Sequence, residues 1–402
     1  MLRVELSNIK PGMRLAMRVE HPQLRGHVLL KAGYEIDPES TQRLHEFGIR
    51  YIWVRYPSLD FLAQFVSQEV LTSQHEVVNE ICGAFEMAQR GATARLRFDH
   101  YVRSVGALVT KLIENPQAAL FMGDIMHSDC NDLKRHSSAV TYLSLLMGMK
   151  LEGYIVRQRR HINPGQAKEV TNLGVGAMLH DIGVTELEED VRQRFYTTGN
   201  DTDPAWREHP SLGYETVRGK IEPSAAIVVL NHHQRCDGSG YAGKDRPVLD
   251  GLRIHVFARI AAVADTFDQL CHPSQGPPKP AIWALSNLLR AESLPLYDHQ
   301  ALRALLAVAP PYPPGSMVRL SDNQWAVCVD HNVDAPCRPT VQIIPDPSTL
   351  SPDDIPTGPT IDLSELPADQ LGIVEADGVD VRAWNFTVPE VIRAGLHQAI
   401  LV

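Results

Sequence analysis

The sequence predicts a mainly α-helical protein with a small α/β domain at its start and a β-rich appendage at its end. Three observations predict it. Apolar residues three and four apart, the spacing of a helix with one buried face, run from about Leu59 to Met126 and return in later segments up to residue 309. Leu2, Val4 and Leu6 alternate as a strand does. Beyond the break at Pro310 to Pro314, "SMVRLSDNQWAVCVDHN" and "PTVQIIPD" alternate again. At 402 residues the chain is too long for one ordinary domain, and it reads as four parts: 1–56, 57–127, 128–309 and 310–402.

Composition narrows the function classes. With 44% hydrophobic and 21% charged residues the chain has the make-up of a soluble globular protein. Its net charge of −10 argues against nonspecific binding of DNA or RNA, which needs a basic surface, so an anionic nucleotide would have to be held by metals and a few local cations. The six cysteines show no paired metal-ligand spacing and read as reduced, inert thiols. No signal segment and no run near the roughly 20 apolar residues of a membrane span is visible. A cytoplasmic protein is expected.

In the first part, a turn at Pro11-Gly12 and the stretch "HVLLKAGYEI" continue the strands. Asp37 as N-cap, Pro38 at the first helical position and Gly48 past the end bracket a helix, and "IRYIWV" closes the unit. With no constellation of chemical groups, its expected role is interaction. In the connector, Leu62, Phe65 and Val66 are expected in the core, and the long helices are also expected to pair two copies of the chain as a homodimer. A helix from Asp132 to Met149 follows, then the charged loop "VRQRRHINPGQ", whose Arg157, Arg159 and Arg160 read as a solvated run. From the Pro164-Gly165 turn a buried helix is expected to end on His180 and Asp181, with Gly183 stopping it. Pro223 opens the helix that delivers His232 and His233, and "RIHVFARIAAVADTFDQL" is a helix apolar almost all round. Residues 280–309 are helical, 345–367 an irregular arm rich in Pro, Asp and Ser, and "VPEVIRAGLHQAILV" a final helix.

The chemistry is concentrated between residues 130 and 272. His180 and Asp181 alone have two readings, a capping carboxylate bonded to a neighbouring imidazole or a ligand pair. His136, His209, His232, His233 and Asp265 recur on helix-like stretches around them. Imidazoles and carboxylates without cysteine suit two borderline first-row ions, iron or manganese, better than magnesium or structural zinc. Asp265, on so apolar a helix, must be paired or bound to metal. Asp132 lies four residues before His136 on the same face and can reach a common third ion; its other reading is first-turn helix electrostatics. "QRCDGSGYAG" is a loop whose glycines allow tight backbone approach.

Taken in order, "LHDIG", "HPSLGYE", "NHHQRCDGSGYAG" and "RIAAVADTFD" resemble the HD-GYP domain, the bacterial branch of the HD-type metal-dependent phosphohydrolases that cleaves cyclic di-GMP. The resemblance covers roughly residues 130–272 and implies an HD-type helical bundle, with the first 56 residues similar to the α/β domain that often precedes it. It implies that His136, His180, Asp181 and Asp265 serve one ion and that Asp181, with His180 the catalytic pair, bridges to a second held by His209, His232 and His233. It further implies a nucleotide pocket at Asp237, Gly238, Gly240 and Tyr241, hydrolysis of cyclic di-GMP to linear pGpG or GMP, and signalling partners such as diguanylate cyclases. Asp268 is expected to help at the site, and Arg259 to contact the loop or the substrate.

The chain also departs from the family pattern. Val184 stands where a Lys near the scissile phosphate is usual, Gln234 where Glu is usual, and Ala242 where Pro is usual. Around Ser274 and Gln275 the Arg that grips phosphate or guanine is missing, and Lys279 is the cation that could take its place. These departures support a competing reading, a binding module that senses the nucleotide or presents a protein surface. A third is a phosphohydrolase of another nucleotide.

Overall fold

The computed structural model describes residues 1–21, 28–49, 51–121, 132–346, 358–367 and 369–393. By contact the chain divides into two units, one of residues 1–67 and 310–387 and one of 68–126, 130–309 and 388–402.

In the first unit, β1 (Leu2–Glu5) pairs antiparallel with β4 (Tyr51–Val54), and β2 (Val19–Glu20) with β3 (Val28–Leu30). Helix α1 (Pro38–Glu46) starts as expected: Asp37 Oδ1 accepts the Ser40 N–H at 2.7 Å, satisfying a free amide of the first turn. Gly48, at φ +72°, lets the chain leave the helix. The later residues form an antiparallel sheet of β5 (Met317–Leu320), β6 (Trp325–Asp330), β7 (Thr340–Ile344), β8 (Thr360–Asp362), β9 (Ile373–Ala376) and β10 (Val379–Asp380), in the order β10-β9-β5-β6-β7-β8. Gly315, at φ +93°, joins the two segments: a Cβ there would lie 2.7 Å from the Trp53 ring. Arg3 pairs with Asp377 at 3.1 Å. The expected irregular arm is corrected, because β8 and a 3₁₀ turn (Leu363–Glu365) lie within it, backed by β7; residues 347–357 lie outside the described residues.

The second unit is helical: α2 (Gln68–Gln89), α3 (Phe98–Glu114), α4 (Asp132–Lys150), α5 (Glu152–Gln158), α6 (Pro164–Ala167), α7 (Thr171–Met178), α8 (Glu189–Thr198), α9 (His209–Val217), α10 (Pro223–Asn231), α11 (Val256–Cys271), α12 (Ala281–Leu288), α13 (His299–Val308) and α14 (Glu390–Arg393). Helix α4 packs on α7, α11 and α13, and α7 also on α10. Helix α7 is buried along most of its length because it is small. A Cβ on Gly174 would lie 2.6 Å from Leu145 and Val105, and one on Gly176 2.7 Å from the Ala225 carbonyl. Each glycine costs about 1 kcal/mol of helix propensity, which close packing offsets.

Several local expectations change. Leu59 lies in a 3₁₀ segment, Pro57–Phe65, and Val66 is half-buried, whereas Leu62 and Phe65 are buried. The helix expected from Pro164 to Asp181 is broken between α6 and α7, and His180 and Asp181 lie just past the end of α7. Gly183 does not stop that helix. It lies in the 3₁₀ turn Ile182–Glu186, where a Cβ would be 2.1 Å from the His209 carbonyl, so its small size lets α9 approach the turn. Of the final helix, Glu390–Arg393 is helical and residues 394–402 lie outside the described residues. Cys82 is disulfide-bonded, correcting the expectation of free thiols throughout; such a pairing depends on tertiary proximity that spacing does not reveal. Cys236, Cys271, Cys328 and Cys337 are free.

Candidate metal centre

Helix ends bring the donors together. His136 comes from the first turns of α4, His180 and Asp181 from the exit of α7, His209 from the first residue of α9, His232 and His233 from the end of α10, and Asp265 from the middle of α11. His180, His209, His232 and Asp265 are fully buried, and His233 and Asp181 nearly so.

Backbone carbonyls orient three of the imidazoles. His180 Nδ1 lies 2.7 Å from Ala177 O, His209 Nδ1 2.8 Å from Trp206 O, and His232 Nδ1 2.9 Å from Val229 O. A carbonyl only accepts, so each Nδ1 carries the proton and each Nε2 presents a lone pair. Those lone pairs converge on Asp181. Its Oδ1 is 3.4 Å from His209 Nε2 and 3.5 Å from His232 Nε2, and its Oδ2 is 3.4 Å from His180 Nε2 and 3.8 Å from His136 Nε2. Two donor groups result, sharing Asp181: His136 and His180 on one side, His209, His232 and His233 on the other. Asp265 borders both, Oδ1 3.0 Å from His136 Nε2 and Oδ2 3.7 Å from His233 Nδ1.

Electrostatics prepare His180, His209, His233 and Asp181 as ligands, whereas His136 holds a proton that a cation would have to displace. Burial pushes His180 below its ordinary value, His209 to about 4 and His233 well down, so all three are neutral near pH 7. For Asp181 burial works upward, but His180, His232 and the other imidazoles outweigh it and hold the carboxyl well below the usual range. Burial would lower His136; its hydrogen bonds to Asp265 and Asp268 outweigh that and raise it to about 10. Buried His232 Nε2 and Asp265 Oδ2 have no hydrogen-bond partner, an arrangement that is costly unless a cation meets them. The residues present therefore fit divalent cations with nitrogen and oxygen ligands.

The glycine-rich loop folds onto this centre. Tyr241 stacks on His233 at 4.7 Å between ring centroids and donates its N–H to the His233 carbonyl at 3.1 Å. A Cβ on Gly240 would lie 2.4 Å from that carbonyl, so only glycine allows the approach. Gly238, at φ +81°, turns the chain, and Asp237 Oδ1 accepts the Ser239 N–H at 2.9 Å, closing the turn. Lys279 is half-buried, its N–H donating to the Cys271 carbonyl at 2.7 Å. Asp132 is exposed at the start of α4 and belongs to neither donor group.

Other residues take places the sequence did not foresee. Val184 is fully buried in an apolar cluster with Leu187, Val191 and Trp206. Gln234 braces the loop backbone, donating to Pro247 O at 3.1 Å and accepting from the Leu249 N–H at 3.0 Å. Arg259 contacts neither loop nor substrate pocket: it is buried against Asp298, Tyr154 and Gln158. Arg159, read as solvated, is buried and donates to Ala167 O at 2.9 Å. Asp268 accepts from His136 Nδ1 at 2.7 Å and orients that ring, and Arg135 grips Asp268 with two nitrogens at 3.1 and 3.2 Å. Arg135 was not foreseen; its signal was adjacency to His136.

A family model described as HD domain matches residues 142–300. The chain is 27% identical over 248 residues to a cyclic di-GMP phosphodiesterase of Pseudomonas aeruginosa, covering 60% of this chain and 54% of that protein. It is 34% identical over 145 residues to the cyclic di-GMP phosphodiesterase response regulator RpfG of Xanthomonas campestris, covering 35% and 36%. It is 30% identical over 148 residues to a cyclic di-GMP phosphodiesterase of Thermotoga maritima, covering 34% and 37%. The matches thus span about half or less of each relative's length. No helix among the described residues is long and apolar enough to cross a membrane.

Proposed function

We infer, the chain being an HD-GYP domain protein, that it hydrolyses cyclic di-GMP to linear pGpG or GMP with two iron or manganese ions. The observation that carries this reading is the shared carboxylate: Asp181 directs one oxygen to each of two donor groups. When bound, two such cations supply Lewis acidity toward a phosphodiester and acidify water. His136, His180, Asp181 and Asp265 would hold one, and Asp181, His209, His232 and His233 the other.

The protein's own residues do the rest. The carbonyls of Ala177, Trp206 and Val229 keep protons on Nδ1 and so keep His180, His209 and His232 as neutral ligands. Asp268 fixes the His136 ring, and the stack of Tyr241 on His233 forms one wall of the site. A nucleotide-sensing module is the second reading, favoured by one observation: Val184, three residues after the donor pair, supplies an apolar core contact and no cation.

Protein purified without oxygen and loaded with iron or manganese should contain about two ions per chain and convert cyclic di-GMP to the linear dinucleotide or GMP. Asp181→Ala should lose most of the metal. Loaded protein that binds the nucleotide without any product would overturn hydrolysis in favour of sensing, and a different cleaved nucleotide would overturn the substrate.

A further inference from the structure

The first unit, which holds none of the metal donors, contains a groove of about 940 Å³. One wall is the 3₁₀ turn Leu6–Asn8 with the residues on either side of it, and the other is α1. Gln42, His45 and Glu46 line it from the helix, spaced by three and one, so they share one side. Helix α1 is anchored through buried Leu44 and Ser40, which leaves that side open. Leu6 and Ile49, both buried, and half-buried Ile9 give the groove an apolar lining.

Its charge has one sign. Glu5, Asp37 and Glu46 line the groove, whereas no Lys or Arg does. Asp37 accepts from the Ser40 N–H at 2.7 Å and from the Tyr34 hydroxyl at 3.0 Å, and the bonds from Ser40 hold its carboxyl below the usual range. Glu46 accepts from the Gln42 amide at 3.2 Å. These donors are neutral, and among the described residues neither Asp37 nor Glu46 has a cationic partner. Arg43 of the same helix is paired with Glu39 at 2.8 Å and does not line the groove. From Asp37 to Glu46 the helix rises about 13 Å, so a single small cation meets one of the two. An extended chain of about five residues spans both, and its alternate side chains face one way.

We propose that this groove binds a segment of a partner protein in extended form, with two arginines or lysines four residues apart and an apolar side chain between them on the same face. The cations meet Asp37 and Glu46, and the apolar side chain meets Leu6, Ile9 and Ile49. Glu5 adds to the field that favours a cationic segment over an anionic one.

The test is titration of the full chain with dye-labelled, end-capped peptides, followed by fluorescence anisotropy. Arg-Ser-Leu-Ser-Arg should bind saturably, and Glu-Ser-Leu-Ser-Glu and Arg-Ser-Ser-Ser-Arg should bind at least about tenfold more weakly. Glu46→Gln should weaken the first peptide by about threefold, the worth of a partly exposed ion pair, and so should Asp37→Ser, which keeps an oxygen for the helix cap. Gln42→Trp, at an exposed position that lines the groove, should abolish binding by filling it. Glu76→Gln, the same loss of charge at an exposed position on α2, should leave the affinity within about twofold. Thermal melting is recorded for each variant, and Glu46→Gln, at the exposed end of α1, judges the proposal even where Asp37→Ser loosens the helix. No saturable binding up to millimolar peptide, equal binding of the glutamate or serine peptide, or full affinity in Gln42→Trp would overturn it. An equal loss in Glu76→Gln would do the same, because the attraction would then be that of the acidic chain as a whole. A dimer that forms with rising concentration and is lost in Gln42→Trp would put a second copy in the groove and overturn the partner segment.

Discussion

Val184 follows the donor pair by three residues yet belongs to a different environment. Its neighbours include Leu187, Val191 and Trp206, with Leu133, Phe195 and Leu212 packed against them. A lysine introduced there would push an ammonium into a buried apolar cluster. Val184→Lys is therefore expected to cost about 3 kcal/mol of stability and to bring no gain in turnover, although the family pattern invites the substitution. Urea unfolding and product analysis of the loaded variant check this, and a stable, faster variant would show that the side chain reaches the nucleotide. Gln234 shows the same principle. Its amide both donates to and accepts from the backbone of residues 247–249, a pairing an ionised carboxylate could not make.

Among the elements, α11 is capped at its N-terminus by a histidine. His255 Nδ1 accepts the Phe257 N–H at 3.2 Å, which requires an unprotonated nitrogen. Burial, with the nearby charges of Arg159 and Arg259, depresses its pKa from 6.5 to about 4. A depressed folded-state value means that the cap's stabilisation is present above the unfolded pKa and is lost as pH falls through the folded one. Stability should therefore fall between about pH 6.5 and pH 4. His255→Asn keeps an acceptor at the cap and does not titrate, so its stability should fall less over that window. Equal slopes for the two proteins in denaturant titrations across that pH range would rule the cap out as the cause. The same helix carries Asp265 and Asp268, so the cap lies on the element that also places two carboxylates at the candidate metal centre.

At the scale of the molecule, residues 1–67 and 310–387, far apart in the chain, share one unit, held by Trp53 against Gly315 and by Arg3 with Asp377. Two two-stranded sheets with one short helix are marginal by themselves. Residues 1–67 expressed alone should therefore give no cooperative thermal transition by circular dichroism, whereas the whole chain should; a sharp melt of the fragment would contradict this. The sequence by itself determined what is local: the Asp37 cap and Pro38 start of α1, the strands at Leu2–Glu5 and Tyr51–Val54, and the run of α4. It also marked the imidazoles and carboxylates on apolar helices, of which His136, His180, Asp181, His209, His232 and His233 meet in two candidate donor groups. Only the tertiary structure decided where helices break and what polar groups face. It split α6 from α7, buried Arg159 and Arg259 in the core, gave Asp181 one oxygen for each donor group, and set Arg135 and His272 on Asp268. It also paired β8, β9 and β10, strands too short to alternate visibly. The physical reason is common to all of these: periodicity records which side of an element is buried, whereas partners distant in the chain, chosen by packing and by the need to satisfy buried polar groups, leave no local pattern.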